Sequence, residues 1–433
     1  MSEKVERLIG NLNGNDAAGR LGSLKTLISM TTAGDIEKPE KTENINNHIH
    51  TAYSFSPYSP SKAIWIAYRA GLSTAGIMDH DSIGGACEFI EAGRIAGMPT
   101  TIGVECRADF SGTPLKGRRI NNPDQDSIAY VALHGIPHGS IGAIREYFRP
   151  YTEFRNIRNM RIVDNINAEF RDTGIRLDFE KDVIPLSMFK EGGSITERHI
   201  LYALSLSLID KFGRGSGLLG FLRAKFGMAI SGRLEGYLTD KENPFYPYDL
   251  LGLLKSELVG RIYIDADKEC PDVREIIELS QKTGAIAAYA YLGDVGESVT
   301  GDKKSQTFED GYTDLLFKVL KELGFNAVTY MPSRNSTEQL DRVRSLCGIH
   351  GFFQISGEDI NSPRQPFICE ALKERKYRNL IDSTWALIGH ERLASADPAK
   401  SMFSPETIRN LPDLADRIRF FGEAGRRPEA GSY

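Results

Sequence analysis

Asn46-Asn47-His48-Ile49-His50-Thr51 decides how the rest of the chain is read. Side chains along a strand alternate faces, so His48 and His50 stand side by side while Ile49 turns into the packing behind them. Two imidazoles on one face make half of a metal site, because neutral imidazole suits Zn, Fe and similar ions. A His-x-His is by itself more often surface or satisfied core. Here it has company: five of the eight histidines (His48, His50, His80, His134, His138) fall between 48 and 138.

Outward from that stretch the pattern is strand, helix, strand. Ile45 to His50 reads as the first strand. Ser59-Pro60 starts a helix, with a cap followed by proline at the first helical position. Ala63, Ile64, Ala67 and Ala70 line its apolar side, and Gly71 ends it. Thr74 to Met78 is a second strand, ending in Asp79-His80-Asp81. A helix over Ala86 to Ala96 stops at Gly97, and Pro99 to Val104 is a third strand delivering Glu105. Such units favour a parallel sheet, open or closed into a barrel, with chemistry at the carboxyl ends of the strands.

After a polar excursion over Asp109 to Asp126, Ile128 to Leu133 reads as a fourth strand ending near His134. The stretch 140–270 breaks the rhythm and reads as a largely helical insertion. Gly213, Gly215 and Gly217 within it lack the lysine and preceding strand of a phosphate loop, which leaves a turn or hinge. Strands then return at Ala285 to Tyr291, Asn326 to Tyr330 and Gly351 to Ser356, the last followed by Gly357-Glu358-Asp359.

Composition narrows the partners. Of 433 residues, 41% are hydrophobic and 26% charged, as in an ordinary globular protein. A net charge of −5 offers no basic footprint, which argues against nucleic acid as a partner. The five cysteines (Cys87, Cys106, Cys270, Cys347, Cys369) show no close pairing, as for reduced thiols. Neither a signal peptide nor an apolar run of membrane-spanning length is present, so a cytoplasmic protein without a membrane partner is expected. No Gly-x-Ser-x-Gly or Cys-His arrangement supports nucleophilic catalysis. No residue pattern sets an oligomeric state.

The run His48-Ile-His-Thr-Ala-Tyr-Ser-Phe-Ser-Pro-Tyr-Ser-Pro60, with Ala70-Gly-Leu72, Met78-Asp-His-Asp-Ser82 and Gly103-Val-Glu105, resembles the PHP (polymerase and histidinol phosphatase) family. The resemblance is strong over 44–106 and returns over 284–363. It implies a distorted seven-stranded (β/α) barrel, TIM-like, with up to three metals at its carboxyl end and phosphate esters as substrates. The barrel would occupy 44–139 and 271–365, leaving 1–43 as an N-terminal extension, 140–270 as the insertion and 366–433 as a helical tail with a flexible end from Arg426.

Position by position, the resemblance implies that His48, His50, Glu105 and Asp359 hold a first metal. For a second, Tyr130 fills one histidine position, with His134 nearby, and Arg334 fills the other. For a third, Phe55 and Asn361 stand at two positions and His80 is retained. Tyr289 replaces the histidine of a fifth-strand motif. Two imidazoles and two carboxylates suit one Zn, Mn or Fe ion, so fewer than three divalent ions are expected.

Within that frame Arg334, with Arg364, replaces lost cationic charge and pairs with phosphate; the plainer alternative is two solvated surface arginines. His80 is a general acid or a residual ligand, or else a structural histidine bonded to Asp79 or Asp81. Tyr130 and His134 are four apart and share a strand face, so either reaches the site. Two functions follow. One is a hydrolase of a small phosphorylated metabolite or nucleotide, the insertion emerging from the catalytic end to wall the pocket. The other is a degenerate relative that binds a phosphorylated ligand or partner without turnover.

Overall fold

Strand-forming runs at 45–49, 74–80, 100–109, 128–134, 286–290, 327–330 and 353–356 lie side by side in chain order in a computed structural model that describes residues 2–230, 232–294 and 307–428. The elements are α1 (Glu3–Asn11), α2 (Ala17–Ala33), β1 (Ile45–Ile49), α3 (Pro60–Arg69), β2 (Thr74–His80), α4 (Ala86–Ala96), β3 (Thr100–Asp109) and β4 (Ile128–His134). The insertion contributes α5 (Ile141–Glu169), α6 (Glu197–Phe212), α7 (Ser216–Phe226), α8 (Gly232–Thr239) and α9 (Tyr246–Ile262). Then come α10 (Val273–Thr283), β5 (Ile286–Ala290), α11 (Thr313–Leu323), β6 (Ala327–Tyr330), α12 (Thr337–His350), β7 (Phe353–Ser356), α13 (Arg378–Ala396), α14 (Pro405–Asn410) and α15 (Leu414–Arg426). The sheet nearly closes: His50 N donates to Ile360 O at 3.0 Å and Ile360 N to His48 O at 3.1 Å. The result is a seven-stranded, TIM-like α/β barrel.

The expected parallel order fails at one strand. β4 runs antiparallel to both β3 and β5. β3 continues past Glu105 to Asp109, and no helix lies between it and β4. The connection over 110–127 is long enough for a crossover but forms no helix to pack on the sheet, and the chain turns back beside β3. Two consequences follow. Tyr130 stands opposite Arg107 at the mouth, whereas His134, two residues beyond the Ala132 that faces Glu105, sinks toward the floor. The chain also leaves β4 at the floor, so the insertion does not emerge from the catalytic end as expected. α5 carries it back: its 29 residues span about 43 Å. Ile144 and Phe148 near its start pack in the barrel's outer core, and Ile162, Val163 and Ile166 near its end pack among the insertion helices.

Local chemistry explains the outer elements. Ser59 caps α3 by accepting from Lys62 N, with Pro60 behind it. Gly97, Gly284, Gly324 and Gly351 take the left-handed conformation that ends four of the barrel helices. Gly213 and Gly215, at φ 71° and 101°, make the turn between α6 and α7. The described N-terminal residues up to Ala33 dock on the barrel: Val5, Leu12, Leu24 and Leu27 join the core, and buried Arg20 grips Glu88 with two bonds of 2.9 and 2.6 Å.

The tail closes the barrel floor. Ala386 and Leu387 of α13 pack against Met78, Ala132, Ile286, Ala327 and Phe353. Glu391 accepts from Thr101 Oγ1 and Ile102 N, and Asn47 donates to Thr384. His138, just beyond β4, reaches Glu391 at 3.1 Å. The flexible end expected from Arg426 falls mostly at 429–433, outside the described residues. Among the described residues no helix is long and apolar enough to cross a membrane.

Candidate metal centre

β1 contains one extra residue relative to β2, since Asn46 faces Ala75 while Ile49 faces Ile77. A bulge of this kind re-aims side chains. His48 and His50 stand with ring centroids 5.0 Å apart, and Ile49 is wholly buried on the outer side, as the alternation required. Gly357 lets the loop after β7 lie against β1, because a Cβ there would sit 2.7 Å from both Cβ and N of His48. That loop brings Asp359 over His50. β2 and β3 bring His80 opposite Glu105 in register.

Four residues named from sequence as one ligand set therefore converge. His50 Nε2 lies 3.1 Å from Asp359 Oδ1 and 4.0 Å from Glu105 Oε2. His48 Nε2 lies 3.8 Å and His80 Nδ1 3.1 Å from the same Glu105 oxygen. Two donor sets result, His48–His50–Asp359 and His50–His80–Glu105, each with its atoms within 4.8 Å of one another. Ligands ~2.0–2.2 Å from one ion stand about 3–4 Å apart, so these spacings fit a cation. The Nε2 atoms of His48 and His50 are buried and make no hydrogen bond. Carboxylate oxygens of Glu105 and Asp359 lie 3.1 to 4.0 Å from them. Leaving such an atom unsatisfied costs about 1–3 kcal/mol, which a bound ion would relieve.

The surroundings hold these groups in place. Ser54 Oγ bridges His50 Nδ1 at 3.3 Å and Asp79 Oδ1 at 2.7 Å, and Thr51 binds Asp79 through both N and Oγ1. Orientation of a ligand histidine through its other nitrogen is the usual support of a metal site. Asn361 Nδ2 donates to Asp359 Oδ1 at 2.7 Å. His80 is bonded to neither Asp79 nor Asp81; Glu105 is its partner, so the plain structural reading of His80 is not what is found.

Electrostatics favour a cation. Burial pushes the Glu105 carboxyl up, but His48, His80 and His50 outweigh it and hold it at about 2. Asp359 is likewise raised by burial and more strongly lowered by His50 and His48, ending well below the usual carboxylate range. His80 is pulled down to about 3, by burial first and then by His50, and so is neutral at pH 7.

The centre opens into a cavity lined by His48, His80, Glu105, Tyr130, Asn361 and Arg334 among others. The Tyr130 ring lies 5.7 Å from His80. Four sequence-named positions fall elsewhere. Arg364 grips Asp249 with bonds of 2.6 and 2.7 Å and lies 3.6 Å over the Tyr237 ring, so it serves the insertion rather than a substrate. His134 lines no part of the cavity and joins neither donor set, because the reversed β4 carries it below Glu105. Tyr289 points outward to Glu309, and Phe55 packs edge-on to His199.

The insertion walls the pocket, as expected, but with residues that the sequence did not single out. Ile162, Leu201, Val259, Ile262, Tyr263, Arg198 and Lys255 come from or beside insertion helices. Between wall and barrel lies a buried network in which Arg107 and Arg158 share Glu197 and Glu269, and Arg155 pairs with Asp81. One signal was present: Arg155, Arg158, Ile162 and Ile166 follow helical spacing, so the two arginines share the buried face of α5.

No family model and no curated protein matches this chain. A solved structure described as a candidate metal-dependent phosphoesterase from Bifidobacterium adolescentis is similar at TM-score 0.51 and 18% identity, covering 80% of this chain and 96% of that one. At that identity the likeness shows the fold alone. An amidohydrolase from Chromobacterium violaceum is similar at TM-score 0.48 and 16% identity, over 76% of this chain and 90% of that one, too slight to build on.

Proposed function

We propose that this chain is a metal-dependent phosphoesterase of PHP type acting on a small phosphorylated molecule. The observation that carries this reading is the pair of orphaned, buried imidazole nitrogens facing two low-pKa carboxylates beneath an arginine-lined cavity. His48, His50, Glu105 and Asp359 would hold a divalent ion such as Zn, Mn or Fe, which supplies Lewis acidity toward a phosphoryl oxygen when bound. Because the two donor sets share His50, the arrangement favours fewer than three ions.

The chain's own groups have distinct tasks. A neutral His80 cannot act as an imidazolium acid at pH 7, so its fitting role is ligand or proton acceptor. Tyr130, whose phenol burial holds well above its ordinary pKa, stays protonated and donates to a phosphoryl oxygen. Arg334 neutralises phosphate charge where the resemblance expects a metal-binding histidine. Asn361 aligns Asp359. The apolar insertion wall excludes water from the bound ester.

The second reading, a phosphorylated-ligand binder without turnover, draws on Tyr130, Arg334 and Asn361, which occupy positions where the resemblance implies ligands. Metal analysis of the purified protein, followed by turnover of a phosphomonoester panel with Mn or Zn, separates the two. Bound metal with turnover that disappears in His50→Ala supports the enzyme. Metal without turnover across the panel supports the binder. Absence of metal affinity defeats the enzyme and leaves only a binder with an empty pocket.

A further inference from the structure

We infer that Arg198, carried to the cavity by the helical insertion, is the cation that receives the substrate's phosphoryl group beside the His48–His50–Asp359 donors. The phosphoesterase reading supplies the identity of the anion; the position of the arginine stands independently of it.

The starting observation is a contrast among the arginines in and behind the cavity lining. Arg107, Arg155 and Arg158 are each matched by Asp81, Glu197 or Glu269. Arg198 lines the same cavity and is half-buried, yet among the described residues it has no hydrogen bond, ion pair or ring contact. A guanidinium withdrawn from water without a carboxylate is costly unless an anion completes it. Its planar fork matches phosphate in two parallel hydrogen bonds. Arg198, His48 and Asp359 line the same cavity, so the guanidinium and the donors face one space.

Its neighbours aim it. Glu197, the preceding residue, is held by Arg107 and Arg158. His199, the following one, accepts from Thr196 N at 3.0 Å and packs on Phe55. Just upstream, Ser194 donates to the carbonyl of His80 at 2.6 Å, and its own N donates to Tyr53 O at 2.7 Å. The segment bearing Arg198 is thus tied to the strand bearing His80. A preorganised cation loses little freedom when the anion arrives. The insertion would then complete the phosphate site, and its sequence would set which phosphate esters are admitted.

Inorganic phosphate titrated calorimetrically into full-length protein, both metal-free and Mn-loaded, tests this. Arg198→Ala is expected to weaken phosphate binding about tenfold to a hundredfold in both forms, with metal content unchanged. The KM for p-nitrophenyl phosphate should rise by a similar factor, and Arg198→Lys should recover part of the loss. Arg149→Ala, an exposed and distant charge control, should match the unaltered protein. Weaker phosphate binding in Arg198→Ala without turnover by any form would keep this inference and remove the enzymatic reading. Turnover with Arg198→Ala binding phosphate as tightly as the unaltered protein would remove this inference alone. An unaltered protein that neither binds phosphate nor hydrolyses the ester would remove both.

Discussion

Arg155, midway along the insertion's first helix, forms an ion pair with Asp81, the residue that follows His80 at the end of β2. Asp81 adopts φ 49°, an uncommon conformation for a residue with a Cβ, and its N donates to Glu105 O at 2.8 Å. The turn behind His80 is therefore held from outside the barrel.

Removing that hold should be expensive. Arg155→Met leaves Asp81 and part of Glu269 buried without their partner, a loss of about 3–5 kcal/mol. Urea unfolding should show it as a lower midpoint. Arg155→Met/Asp81→Asn, which removes both charges, should recover much of the stability. An Arg155→Met midpoint equal to that of the unaltered chain would mean the pair is not formed in solution.

Metal affinity should depend unequally on the donors. His50 belongs to both donor sets and His80 to one. His50→Ala should abolish stoichiometric Mn or Zn binding, whereas His80→Ala should weaken it about tenfold to a hundredfold. Equal metal content in the two variants would contradict the shared position of His50.

Stability should fall on mild acidification. His390 is pulled down to about 4 by burial; its Nδ1 accepts from Met402 N and its Nε2 lies 2.9 Å from Gly135 O. His199, also buried, is pulled down to about 3. The unfolded chain protonates these imidazoles near 6.5 and the native one resists, so the unfolded state binds more protons between the two values. Stability is fully present above about 6.5 and declines as pH drops through 4, by ~3 kcal/mol for His390. His390→Gln should reduce the slope of unfolding free energy against pH by close to one proton between pH 4.5 and 6. An unchanged slope would show that His390 is not neutral in the folded protein.

The floor closure should be sensitive to a single methyl group. α13 and α15 touch backbone to backbone where Gly389 faces Phe421 O and Gly425 faces Trp385 O; a Cβ at either would collide with the carbonyl. Gly425→Ala should force the helices apart at a cost of about 1–3 kcal/mol, seen as a lower Tm, with metal content retained. A Tm equal to that of the unaltered chain would mean that these helices do not meet as described.

Much of the barrel was legible because its signals are local. Alternation placed His48 and His50 together and Ile49 behind them, and Ser59-Pro60 and the terminal glycines bounded the helices. The resemblance then joined Asp359 to that group across the whole length of the chain. β4 misled because alternation is the same in either strand direction. The missing crossover helix between Asp109 and Ile128 was the clue to its reversal, and with it to where His134 lies.

What the sequence determined by itself was therefore the pairing of the two imidazoles, since strand period puts His48 and His50 on one face; Glu105 and Asp359 joined them only through the resemblance. Tertiary structure alone decided which arginines meet the centre. Arg364 and Arg198 are alike on paper; one is claimed by Asp249 and Tyr237, and the other is left facing the cavity. A long charged side chain takes whichever partner the fold brings within a few ångströms, and no local pattern records that choice.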